Sequence, residues 1–147
     1  MLARAQAVQD PVAKIRALLL AARPRIQADS RELDLAWQEE PPPGQPAATG
    51  PSPDPGAAIT KMRAHLRALR TAVLAVSGGG PAGTSARDLT AQTLLETDQS
   101  LEKLAQSLAA PDPDSAGELW GESVRLGKQA MSTSVNAEKA LGIPWPL

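Results

Sequence analysis

A chain of 147 residues with a formal net charge of −1 is long enough to bury a core within one domain, and it has no overall electrostatic pull toward nucleic acid or an anionic membrane. It contains no Cys, which excludes a disulfide framework and any thiolate metal site. With 42% hydrophobic residues but no Phe or Tyr, the interior must be Leu, Val, Ile, Met and Ala with at most three Trp. Such a core suits closely packed helices better than a sandwich or barrel, whose strands favour aromatic and β-branched residues.

The first thirty residues hold one short apolar run, 18–22, behind Asp10, Pro11, Lys14 and Arg16. A cleaved secretory signal needs a longer apolar stretch after a basic start, so none is expected. No window approaches the roughly eighteen apolar residues of a membrane span. The expectation is a soluble cytoplasmic protein without a transmembrane segment. The richness in Ala, Pro, Gly and Arg matches what a GC-rich bacterial genome tends to encode.

Proline and glycine divide the chain into four helical segments. Asp10-Pro11 reads as an N-cap followed by a first-turn proline, after which Val12, Ile15, Leu19, Ala22, Ile26, Leu33 and Trp37 keep one helical phase. This predicts a first helix over about 11–39, kinked or broken at Pro24, which lacks a backbone donor and crowds the preceding turn. Residues 41–56, PPPGQPAATGPSPDPG, read as a flexible Pro/Gly-rich linker within a single helical domain spanning 1–147. As polyproline II it could reach roughly 50 Å, so the two helices that it joins are free to run parallel or antiparallel. Pro43 and Pro46 form a minimal PxxP, a pattern common in any Pro-rich linker.

The second helix is expected over about 57–77, with Ile59, Met62, Leu66, Leu69, Val73 and Val76 at alternating spacings of three and four, and Gly78-Gly79-Gly80-Pro81 to stop it. The third is expected from Ser85, where Ser85-Ala86-Arg87-Asp88 has the form of a capping box, through Leu94, Leu101, Leu104 and Leu108 to Pro111. Asp112-Pro113 and Ser115-Ala116-Gly117-Glu118 signal a fourth start. That helix is read with Trp120, Val124, Met131 and Val135 on its core side, Leu119, Leu126 and Leu141 beside them, and an end near Gly142-Ile143-Pro144. Four helices with one apolar face each predict an all-α four-helix bundle.

Catalytic and cofactor chemistry finds little support. Residues 73–85 have the two glycines of a phosphate loop at Gly78 and Gly83, but Thr84 stands where a Lys must reach the phosphates. His65 is the only histidine, so no multi-histidine zinc or di-iron centre can form, and a haem in the bundle would have to pair it with Met131, since Met62 lies on the same helix one turn away. The pairs Asp98/Glu102 and Glu118/Glu122 sit at helical spacing without a supporting base or pocket and read as solvated faces. Ser100-Leu101-Glu102-Lys103 matches Ser-x-x-Lys without the companion motifs of that enzyme class. No catalytic residue, metal ligand or cofactor is therefore assigned.

Interaction is better supported. Arg63, Arg67 and Arg70 make a basic stripe beside the apolar seam of the second helix, joined by Lys61 and by no acid. Such a stripe could follow a phosphate backbone, but no aromatic interleaves it, and Asp54, Asp88, Glu96, Asp98, Glu102, Asp112, Asp114 and Glu118 are available to pair with it. Trp37 and Trp120 fall on apolar phases and are expected at the core or its edge. Trp145, in the apolar tail Ile143-Pro144-Trp145-Pro146-Leu147, either folds back as a lid or docks a partner, with a foothold on a membrane surface as a third option. The reading is a non-enzymatic helical interaction or assembly module, working with a protein partner or another copy of itself. Its candidate interaction residues are Arg63, Arg67, Arg70 and Trp145. The alternative is nucleic-acid or anionic-surface binding through helix 57–77, with nucleic acid disfavoured.

Overall fold

The computed structural model describes residues 10–37 and 54–147. Among these are four helices and no strand: α1 (Pro11–Trp37), α2 (Pro55–Leu74), α3 (Gly80–Ala109) and α4 (Pro113–Leu141). Three of the four start with the same device, an Asp-Pro pair. Asp10, Asp54 and Asp112 accept from the backbone N–H of Val12, Gly56 and Ser115 at 3.0, 3.1 and 2.8 Å. The following proline has no N–H to leave unsatisfied and a φ already set for the first turn.

Several boundaries differ from the sequence expectation. Of the expected linker, 41–53 lie outside the described residues, and 54–56 already form the cap and first turn of α2. α2 ends at Leu74 rather than near 77. α3 begins at Gly80 rather than Ser85, because Pro81 fits the first turn and Gly79, with φ 80°, supplies the left-handed cap. A side chain at Gly79 would also strike the ring of Pro11, so this turn seats the start of α1 only because it is glycine. α1 passes through Pro24 as one element, so the helix is not broken there.

Contacts across the helices give the topology. Asp29 with His65 and Glu32 with Lys61 set α1 antiparallel to α2. Arg63 with Asp98 and Arg70 with Ala91 do the same for α2 and α3. Ser107 with Ala116 and Ser100 with Ser123 do so for α3 and α4. The helix packing is that of an up-down-up-down bundle. The α3 to α4 interface is the most extensive, α1 meets α4 least, and the backbones of α2 and α4 do not approach each other. Ile15, Leu19, Ile26, Ile59, Leu66, Leu69, Val73, Leu94, Leu101 and Leu141 form the centre of the core.

The main correction concerns the rotation of α4. Its expected core face, Trp120, Val124, Met131 and Val135, is exposed, and its buried residues are Ser123, Leu126, Ala130, Ala137 and Leu141. The buried set is mostly small. Ser100 of α3 meets Ser123 and Gly127, and the buried Thr93 shares a cavity wall with Ala130, so the two helices meet here through short side chains. Close approach of the helices and paired hydroxyls fix the rotation here, against the pull of the larger apolar residues.

Candidate docking surface

Trp120, Val124, Met131 and Val135 are 49%, 39%, 71% and 49% exposed. Steps of four, seven and four residues bring them within about 60° of arc at roughly 100° per residue, so they form one continuous apolar stripe. Isolated exposed apolar residues mean little, but a stripe along four turns of one helix is a candidate contact surface.

The stripe borders the least packed side of the bundle. Between α1 and α4, floored by α2 and α3, lies a cavity of about 290 Å³ walled by Ile26, Met62, Leu66, Leu94, Leu101 and Met131. Its hydroxyls are already committed. Thr93 donates to the carbonyl of Leu89, Thr97 to that of Thr93, Ser100 to that of Ser123 and Ser134 to that of Met131. What the cavity offers an occupant is therefore apolar surface.

Two aromatic features frame this side. Trp37, at the end of α1, stacks on Trp120 of α4 with ring centroids 6.5 Å apart and planes tilted by 32°. Both rings stay substantially exposed, Trp37 at 40%, so of the expected placements, core or its edge, the core does not hold, and the pair bridges the two helices at the surface. The C-terminal tail folds back onto the core. Pro146 is buried, Ile143, Trp145 and Leu147 are half-buried, and the Trp145 N–H donates to Glu138 Oε1 at 2.9 Å. Trp145 and Leu147 also line the cavity, the lid arrangement among the options for the tail.

The far flank of the stripe is basic. Arg125, Lys128 and Lys139 are exposed, and among the described residues none takes part in an ion pair. Of the nearby acids, Glu122 holds Lys103 at 3.1 Å and Glu138 accepts from the tail, while Asp114 and Glu118 stand exposed on the same side toward the helix start.

The basic stripe of α2 turns toward α3. Arg63 Nε donates to Asp98 Oδ1 at 2.8 Å, and its Nη2 lies 3.6 Å from Glu102. Arg67 Nε donates to Asp98 Oδ2 at 3.2 Å, and Arg70 Nε to the carbonyl of Ala91 at 3.3 Å. Asp98, only 8% exposed, is thus clamped by two guanidinium groups. Lys61 pairs with Glu32 at 3.0 Å, which holds its ammonium above the ordinary lysine range through the hydrogen bond and then the charge.

The remaining candidates are dispersed. His65 hydrogen-bonds through Nδ1 to the buried Asp29, whereas Met131 lies on the outer face of α4 and borders a different cavity. The Ser100 hydroxyl serves Ser123, and Lys103 serves Glu122. Among the described residues no three His, Asp or Glu side chains converge as metal ligands, and no helix is long and apolar enough to cross a membrane. Sequence reasoning placed the stripe of α4 in the core. The signal that could have corrected this is the second, small-residue face of the same helix, Ser123, Gly127, Ala130 and Ala137.

No protein-family model, curated protein or solved structure matches the chain, so a functional reading rests on its own surface.

Proposed function

We propose that this protein is a small cytoplasmic helical interaction or assembly module without catalytic activity, and that it binds its protein partner through the outer face of α4. The observation that carries the reading is the stripe of Trp120, Val124, Met131 and Val135, four large apolar side chains in line beside an apolar cavity. Binding of nucleic acid through α2 draws less support, since Arg63, Arg67 and Arg70 direct their Nε groups to acceptors on α3.

A photoreactive residue in place of Val124, introduced in the source cell, tests this reading together with light scattering of the purified chain. A discrete cross-linked adduct is expected from position 124 and none from the exposed Thr71 on α2. Absence of any adduct from 124, with a strict monomer at every concentration, would remove the reading.

A further inference from the structure

We propose that the partner element is an amphipathic helix with an acidic flank. Its apolar side chains would enter the groove between α1 and α4, and its carboxylates would lie over Arg125, Lys128 and Lys139. This rests on the docking reading above and names the chemistry of what docks.

The groove sets the first requirement. A cavity of about 290 Å³ sits where α1 and α4 pack least, and Met131 belongs both to its wall and to the exposed stripe. Truncating one large core side chain opens a cavity of about 150 Å³, so this space takes roughly two apolar anchors. Because the lining hydroxyls already donate to backbone carbonyls and keep only their acceptor capacity, a polar anchor would find no free hydroxyl donor there, and an aliphatic or aromatic one loses nothing on burial. An element that delivers anchors every third or fourth residue along a helical stripe is itself a helix laid in a groove.

Charge sets the second. Arg125 and Lys128 beside the groove, with Lys139 further on, make this flank basic, the acids Asp114 and Glu118 on the same side lying toward the helix start, and Glu122 and Glu138 being held by Lys103 and by the Trp145 backbone N–H. A partner whose matching flank carries Asp or Glu gains complementary pairing at the rim, which directs encounter and excludes wrong partners more than it adds affinity. In symmetric antiparallel packing of α4 on α4 centred on the stripe, Arg125 and Lys128 meet like charge, whereas Lys139 meets the other copy's first turns with Asp114 and Glu118. A second copy is therefore an outcome of the test: self-association of the chain by light scattering at the concentrations of the peptide titration would overturn the acidic partner in its favour.

The test uses the full chain and two fluorescein-labelled synthetic peptides of about three heptads. Both have the same leucine seam. One carries Glu along its flanks and the other Lys. Fluorescence anisotropy should show the Glu peptide binding at least about tenfold more tightly than the Lys peptide, with the difference shrinking at high salt. Met131→Glu should abolish binding, and Arg125→Glu with Lys128→Glu should reverse the preference while leaving the melting curve in place. Equal binding of the two peptides, both lost in Met131→Glu, would overturn the acidic partner and leave the docking face standing. Binding of neither peptide would overturn it too, and the adduct from position 124 then reports separately whether the face docks anything. Preference for anionic phosphatidylglycerol vesicles over the Glu peptide would overturn it in favour of a lipid surface.

Discussion

Ser100 and Ser123 exchange hydrogen bonds across the α3 to α4 interface, each hydroxyl donating to the other's main-chain carbonyl at 2.8 Å. Side chains this short let the helices approach closely, and the reciprocal bonds hold one rotation of α4. That rotation turns Ala130 and Ala137 inward and Trp120, Val124, Met131 and Val135 outward. Replacing Ser123 by Ala should cost about 1 kcal/mol, the usual worth of one such hydrogen bond. Ser123→Leu should cost about 2 to 3 kcal/mol by wedging the helices apart. Urea denaturation of the two variants checks both the order and the size.

A second linkage is the pair Asp29 and His65, which ties α1 to α2. Asp29 is 3% exposed, and its carboxylate meets the imidazole Nδ1. His65→Ala leaves that carboxylate buried without this partner, and stability at neutral pH should fall by about 3 kcal/mol. Chemical denaturation is the measurement, and a loss below about 0.5 kcal/mol would show that solvent replaces the imidazole at no cost.

Local punctuation made most of the fold legible. Asp10-Pro11 and Asp112-Pro113 mark helix starts in the sequence and serve as caps in the structure, and the seam of Ile59, Leu66, Leu69 and Val73 is buried as its period implies. α3 was misplaced at its start because Ser85 mimics a capping box. The real signal was Pro81 behind a glycine able to adopt a left-handed conformation. The face of α4 was misread for a deeper reason. Apolar period weighs side chains by size, and α4 has two candidate faces, one of large residues and one of small ones. Which face packs depends on α3, whose Thr93 and Ser100 admit a close neighbour, and such pairwise fit is invisible in either helix alone. Similarly, α2 shows its arginines in sequence, while their commitment to Asp98 follows only from the antiparallel register.

The N-cap of α4 should give a pH signature. Hydrogen bonds from the Ser115 backbone N–H and then its hydroxyl hold the Asp112 carboxyl below its ordinary value of 3.8. A carboxyl whose folded value lies below its unfolded one contributes stability that is fully present above the unfolded value and is lost as pH falls through the folded one. Asp112→Ala should therefore be less stable than the parent by a constant margin from about pH 5 to 8, and the margin should shrink below about pH 4. Asp112→Asn, which still caps, should lose the pH dependence and keep most of the stability. Thermal melts across this range decide the matter.

The tail is part of the folded unit. Removing residues 143–147 strips Pro146, Trp145 and their neighbours from the core and frees Glu138 Oε1. Stability should fall by about 2 to 3 kcal/mol, in line with the apolar surface that these residues cover. Emission of Trp145, measured in a variant with Trp37 and Trp120 replaced by Leu, should shift to longer wavelength as the protein unfolds.

The outward face of α4 is tested most directly by the melting curve of the double variant Val124→Glu, Met131→Glu. Both side chains stand in solvent, so two carboxylates there should leave helicity intact and change stability by less than about 1 kcal/mol. Were the stripe packed in the core, the same variant would bury two charges without partners and lose several kcal/mol, enough to unfold a small domain. An unchanged melt is the expected result, and a collapsed one would contradict the assignment of this face as a docking surface.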